Sequence, residues 1–261
     1  MNKKRVIIYI VDWLKAYVEN SGVNGFVIGI SGGVDSALTS TLAAETGLSL
    51  LVVEMPIHQD AGQVNRAKSH ADWLVSNYTN VSRQQVDLTS TFDHMVDEFP
   101  SIEDEETRWM ALANTRARLR MTTLYYFAGL HKMLVLGTGN KVEDFGIGFF
   151  TKYGDGGVDL SPIGDLLKSE VYALAQELNI NSDIINAAPT DGLWGDERND
   201  EDQIGATYPE LEWAMNFTGD SASLTEREKE VLKIYQDRYK ANLHKMIEIP
   251  VCKISNEVKE I

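Results

Sequence analysis

The segment Gly29-Ile30-Ser31-Gly32-Gly33-Val34-Asp35-Ser36 ends an apolar run, Phe26 to Ile30, and opens a helical pattern, Val34 to Glu45. Adjacent glycines let backbone pass close to a ligand, and the free N–H groups of a helix start form an anion site, so phosphate is the natural guest. The loop lacks the lysine of the common NTPase loop and the glycine spacing of dinucleotide-binding folds. It carries an acid instead. A carboxylate beside a phosphate repels it unless a hard cation lies between them, so Asp35 implies Mg2+. The bland alternative is a tight strand-to-helix turn with Asp35 near the helix dipole.

The elements that must hold this loop follow from periodicity. Residues 4–19 place Val6, Ile7, Ile10, Val11, Leu14 and Val18 at helical spacing. Short apolar runs at Phe26–Ile30, Leu48–Val53 and Met133–Leu136 read as buried strands, with a weaker one at Gln84–Leu88. Helical patterns fill residues 34–45, 60–76 and 103–128 between them, which predicts a parallel sheet covered on both faces. Further helices are expected at Lys168–Leu178, 208–216 and 224–242, and the acidic stretch 190–205 reads as a mobile loop. One α/β domain over residues 1–261, with a helical C-terminal extension, fits this order.

Composition limits the function classes. The 261 residues carry 24 Lys plus Arg against 39 Asp plus Glu, a net charge of −15, which repels nucleic acid and anionic membranes. Any anionic ligand therefore needs a local basic pocket. A single cysteine, Cys252, excludes internal disulfides, multi-thiolate zinc and a Cys-x-x-Cys redox pair. Charged residues interrupt the apolar start (Asp12, Lys15, Glu19), and no stretch reaches the roughly 18 apolar residues of a membrane span. A cytoplasmic protein is expected.

Ser31-Gly32-Gly33-Val34-Asp35-Ser36 resembles the pyrophosphate loop of the N-type ATP pyrophosphatases, which adenylate a substrate oxygen and let a nitrogen or sulfur nucleophile displace AMP. Asn114-Thr115-Arg116-Ala117-Arg118-Leu119-Arg120-Met121, Gly137-Thr138-Gly139-Asn140 with Glu143, and Phe149-Phe150-Thr151-Lys152-Tyr153-Gly154-Asp155-Gly156-Gly157 narrow the resemblance to the ammonia-dependent NAD+ synthetases. Asp159, Pro162, Lys168, Pro189-Thr190 and His244-Lys245 extend it over nearly the whole chain.

The resemblance implies a Rossmann-like doubly wound sheet of the adenine nucleotide alpha hydrolase type. It implies ATP-dependent amidation of deamido-NAD+ by ammonia through an adenylate, releasing AMP and pyrophosphate, by a homodimer. It gives Gly29 to Ser36, Thr138, Lys168 and Thr190 to ATP, and Asp35 and Glu143 to Mg2+. Arg118, Lys152, Asp159, His244 and Lys245 are given to deamido-NAD+. No side-chain nucleophile is required, because positioning and electrostatics suffice.

Each assignment has a plainer competitor. Arg118 lies about 200° of helix from both Arg116 and Arg120, so only one side of the trio is expected to enter a site. Glu143 follows the fourth strand's carboxyl end, where open α/β sheets place ligands, but it also reads as a solvated acid. Lys152 and Asp159 flank a glycine-rich turn, and Lys168, Thr190 and His244-Lys245 are each ordinary surface features alone. Only one helix precedes the loop and Cys252 lies near the end, so no glutaminase domain is expected. Thr138-Gly139-Asn140-Lys141-Val142-Glu143 replaces the Thr-Asp-His-Ala-Ala-Glu of many relatives, which leaves the neighbours of Glu143 open. Asp191, in place of a usual alanine, could be a further Mg2+ ligand or a solvated loop acid. Two rival readings are a tRNA-modifying adenylating enzyme and a non-catalytic nucleotide sensor.

Overall fold

A computed structural model describes residues 1–187 and 199–259. Four parallel strands, β1 (Gly25–Gly29), β2 (Ser49–Glu54), β3 (Val81–Gln85) and β4 (Leu134–Val135), form one sheet in the order β3-β2-β1-β4. Register is set by Gly25 opposite Ser49, Phe26 opposite Leu134 and Leu50 opposite Val81. The chain leaves β1 in one direction through helix α2 (Val34–Glu45), β2, α3 (Ala61–Asn77) and β3. It then returns through α4 (Thr89–Glu98) and α5 (Glu105–His131) to β4 on the far side of β1. The order therefore reverses between β1 and β4, the crevice in which open α/β sheets bind ligands.

Alternate strand residues face opposite layers, so both faces need cover. Phe26, Ile28, Leu50 and Val52 pack with α1 (Lys3–Ser21), α2, α3 and α6 (Lys168–Glu177), while Val27, Leu51, Val53 and Val135 pack with α4 and α5. The expected two-sided sheet is thus present, and its apolar runs are continuous because neither side meets water.

A third apolar cluster lies outside the sheet. Val142 and Ile147 of a π-helical turn, Lys141–Ile147, pack with Ile204, Tyr208, Leu211, Ala214 and Val231. These come from α8 (Asp200–Ile204), α9 (Tyr208–Asn216) and α10 (Glu226–Met246). The short helices α7 (Ser182–Ile185) and α11 (Asn256–Lys259) complete the set. The expected mobile loop over 190–205 needs correction at its end. Asn199 and Asp202 cap one another's backbone, Gly205 closes the turn at φ 88°, and Ile204 is buried. The acids there are helix-start acids rather than a solvated run. Thr190 and Asp191 lie outside the described residues.

His70 on α3 is buried, stacks on Trp73 with centroids 5.6 Å apart, and meets Ser40 Oγ through Nε2 at 3.0 Å. Burial pushes its pKa down from 6.5 to about 4, against a hydrogen bond to the Ala37 carbonyl. Between those values the unfolded chain binds more protons than the folded one, so stability rises with pH and is lost as pH falls. We expect a loss approaching about 3 kcal/mol as pH drops through this window. Urea unfolding at pH 7 and pH 4 of the native protein and H70Q checks it, and equal losses in the two would remove His70 as the source.

Candidate active site

The glycine loop lies at the carboxyl end of β1. Ser36 Oγ donates to the Gly33 carbonyl at 3.0 Å, lies 3.0 Å from Ser31 Oγ and receives Ser31 N–H at 3.2 Å, which folds the loop back onto the start of α2. Gly33 caps α2 without a side-chain bond, so the first N–H groups are left for a ligand. Gly32 has φ +85°, and a Cβ there would meet the Gln63 carbonyl oxygen at 2.7 Å. Glycine is required at this position both by conformation and by the close packing of α3. The loop residues Gly29 to Ser36 line one cavity of about 300 Å³ together with Thr138, Glu143 and Lys168.

Lys168, at the start of α6, is the centre of the polar arrangement. Its ammonium is buried and donates to Asp35 Oδ2 at 2.6 Å and Glu143 Oε1 at 3.0 Å, while lying 4.7 Å from the centre of the Tyr208 ring. Burial pushes the lysine pKa down, but the two carboxylates outweigh it and the net shift is upward. Asp35 moves up because burial outweighs the pull of Lys168, whereas Glu143 moves down because Lys168, Tyr208 and Asn140 together overcome its burial. Asn140, fully buried, donates to Asp35 Oδ1 at 3.1 Å and caps the backbone N–H groups of Val142 and Glu143. It thereby orients both acids and supplies the contacts that the altered Thr138–Glu143 sequence left open. Gly139 has a matching reason: a Cβ there would lie 2.0 Å from Asp144 Oδ2, so the carboxylate of Asp144 occupies the space beside it. Burial, followed by Glu143, Asp155 and Asp35, raises the pKa of Asp144 well above the carboxylate range.

The cavity wall is rich in acids, with Asp35, Glu54, Glu143, Asp144, Asp155 and Asp200 against the cations Arg66, Arg120 and Lys168. Such a wall accepts a polyphosphate only with added positive charge. Asp35 and Glu143 both bond the Lys168 ammonium, and their hard oxygen donors fit Mg2+. Among the described residues no group of three or more His, Cys, Asp or Glu converges, so phosphate and water oxygens would complete the coordination.

The residues expected at the second substrate gather elsewhere. Arg118 Nε donates to the Lys152 carbonyl at 3.3 Å, Lys152 Nζ to the His244 carbonyl, and Lys245 Nζ to the carbonyls of Gly148 and Phe150 at 3.0 and 2.9 Å. This basic group joins α5, the glycine-rich turn and the end of α10, beside the cavity rather than on its wall. Asp159 uses Oδ1 for the Tyr125 hydroxyl and Oδ2 for Val135 N–H, at 3.0 and 2.8 Å, so it anchors the edge of β4.

The basic charge that an anionic ligand needs is divided between two places. Lys168 lines the cavity, its charge matched by two acids, while Arg118 and Lys152 lie beside it. The trio on α5 also uses both of its sides. Arg120 reaches the cavity and bonds the Met55 carbonyl and Gln59 Oε1, Arg118 faces the basic group, and Arg116 stacks over Phe92 and Trp109. Arg66 and Tyr208 stand outside the motifs quoted above, and Arg120 and Asn140 stand within them without an assigned role. Arg120's 200° offset from Arg118 and Arg66's place near the start of a crossover helix were available signals. Tyr208 had none.

The family model described as NAD synthase matches residues 6–249. An NH(3)-dependent NAD(+) synthetase from Syntrophomonas wolfei subsp. wolfei is 37% identical over 99% of this chain and 100% of that protein. Among solved structures, the NMN synthetase from Francisella tularensis superposes with a TM-score of 0.85 at 28% identity, covering 97% of this chain and 100% of its own. The NH3-dependent NAD synthetase from Campylobacter jejuni, in complex with the nitrate ion, gives 0.77 at 26% identity with the same coverage.

Proposed function

The chain belongs to the NAD synthase family, and on that premise we propose that it amidates deamido-NAD+ with ammonia at the expense of ATP, yielding NAD+, AMP and pyrophosphate. The observation that carries this reading is one cavity at the β1/β4 crevice, which joins the glycine loop, Thr138 and the Asp35–Lys168–Glu143 group. A nicotinate carboxylate is a poor acyl electrophile. Attack of its oxygen on the α-phosphorus of ATP breaks the bond to pyrophosphate and leaves an acyl adenylate. Ammonia then adds to the carbonyl, loses a proton, and AMP departs with the bonding electrons.

The chain's own groups act by position. Loop N–H groups and Lys168 hold phosphate oxygens, and Asn140 holds Asp35 and the turn that carries Glu143. Asp35 and Glu143 would hold Mg2+, which when bound neutralises the charge of the departing pyrophosphate. Arg118, Lys152, His244 and Lys245 take the phosphates and carboxylate of the pyridine nucleotide beside the cavity. Asp159 serves that region through β4 rather than by offering a free carboxylate. The reading carries a cytoplasmic homodimer, supported by the exposed Met110, Tyr126 and Leu130 on α5. No described helix is long and apolar enough to cross a membrane.

A second reading takes nicotinate mononucleotide as the acid, favoured by the likeness to the Francisella NMN synthetase. Purified protein is to be supplied with ATP, Mg2+ and ammonium plus either acid nucleotide, and AMP and amide followed chromatographically. Equimolar AMP and NAD+ are expected. The larger kcat/KM identifies the substrate, and neither amide appearing would overturn both readings. Light scattering on the same sample reads the oligomeric state, and a monomer would remove the dimer.

A further inference from the structure

The cations on the cavity wall are not equivalent. Lys168 commits two of its three N–H donors, and its charge, to Asp35 and Glu143, and Arg120 is bound to the Met55 carbonyl and Gln59. Arg66 donates through Nε to the Gly32 carbonyl at 3.4 Å and forms no ion pair with any described residue. In a chain of net charge −15, a guanidinium over a phosphate loop without a carboxylate partner is charge prepared for a ligand.

Its position is fixed by backbone. Asp60 caps α3 by accepting from Gly62 and Gln63 N–H, and the first two turns of α3 press against the loop. A Cβ at Gly32 would lie 3.1 Å from Ala67 N and 3.3 Å from Arg66 Cβ. The arginine stem therefore starts in contact with the loop. The Nε bond orients the guanidinium plane, and the Nη edge is what a phosphate can engage in a bidentate pair.

We propose that Arg66 binds the β,γ-pyrophosphate of ATP and holds it as the leaving group. The direction follows from topology. The α3 helix covers β2 and β3, on one side of β1, whereas the basic group of Arg118, Lys152, His244 and Lys245 and the anchoring Asp159 lie on the β4 and α5 side. The acid nucleotide approaches from the β4 side, so the α-phosphate faces it and the departing group faces α3. Arg66 thus counters charge that grows on pyrophosphate as the P–O bond breaks, which makes it specific for the diphosphate portion and indifferent to the adenylate left behind.

This assignment rests on the ATP-cleaving reading of the same cavity. Calorimetric titration of the native protein and R66M with pyrophosphate, ATP and AMP, each with Mg2+, tests it. R66M keeps the length of the stem, and its AMP affinity serves as the measure of an intact cavity. We expect pyrophosphate and ATP affinities to fall about 10- to 100-fold and AMP affinity to stay within about 2-fold. Unchanged pyrophosphate affinity in R66M, or an equal fall for all three ligands, would overturn the role of Arg66. Native protein that binds neither ATP nor pyrophosphate would instead defeat the ATP-cleaving reading itself.

Discussion

Asp35→Ala is expected to abolish AMP and amide formation together, by about 10³-fold in kcat, because one substitution removes a loop carboxylate on which the polyphosphate charge balance depends. Both products should vanish in step, since Asp35 acts before the intermediate divides the reaction. Lys168 keeps Glu143 as a partner at 3.0 Å in this variant, so the fold should survive and the loss should be read as chemistry. The check is simultaneous quantitation of AMP and the amide with circular dichroism on the same preparation. AMP release within ten-fold of the native rate would show that Asp35 is only a helix-start acid.

Lys168→Met carries the second large effect, and it falls on stability as well. Lys168 is 3% exposed, and its ammonium lies between carboxylates that are themselves largely buried. Its removal leaves two neighbouring acids without their cation, a change that costs about 3–5 kcal/mol. Unfolding in urea should show this loss. Both acids flank the place of the lost ammonium, so millimolar Mg2+ should raise the unfolding midpoint of K168M more than that of the native protein. A variant as stable as the native chain, or equal Mg2+ responses, would mean that Asp35 and Glu143 do not depend on Lys168.

Local pattern reached the elements that have two buried faces or strong periodicity. Residues 34–45 and 208–216 form α2 and α9 at the expected bounds, and the β1 and β2 runs differ from the strands by one residue. The third strand was displaced. It is Val81–Gln85 rather than Gln84–Leu88, because β3 is an edge strand carrying Ser82, Arg83, Gln84 and Gln85, while Leu88 packs with α4. Helix α4 escaped notice since Phe92 is its only buried residue. For the site, the glycine loop was legible because consecutive residues build it. The Asp35–Lys168–Glu143 group was legible only through resemblance, and the roles of Asn140, Tyr208 and Arg66 come from packing between distant segments, which no local periodicity records.

That distance has a consequence for how the protein is made. The Lys168–Asp35 bond spans 133 positions, the Asn140–Asp35 bond 105, and Tyr208 closes on Glu143 from 65 positions beyond. During synthesis the loop at the end of β1 leaves the ribosome on the order of ten seconds before the lysine that completes it. Through that interval Asp35 lacks its cation, and for most of it its amide donor as well. A nascent chain therefore carries the nucleotide loop before the side chains that hold its carboxylate exist, and Tyr208 of the C-terminal cluster, which holds Glu143, is the last of the group to arrive.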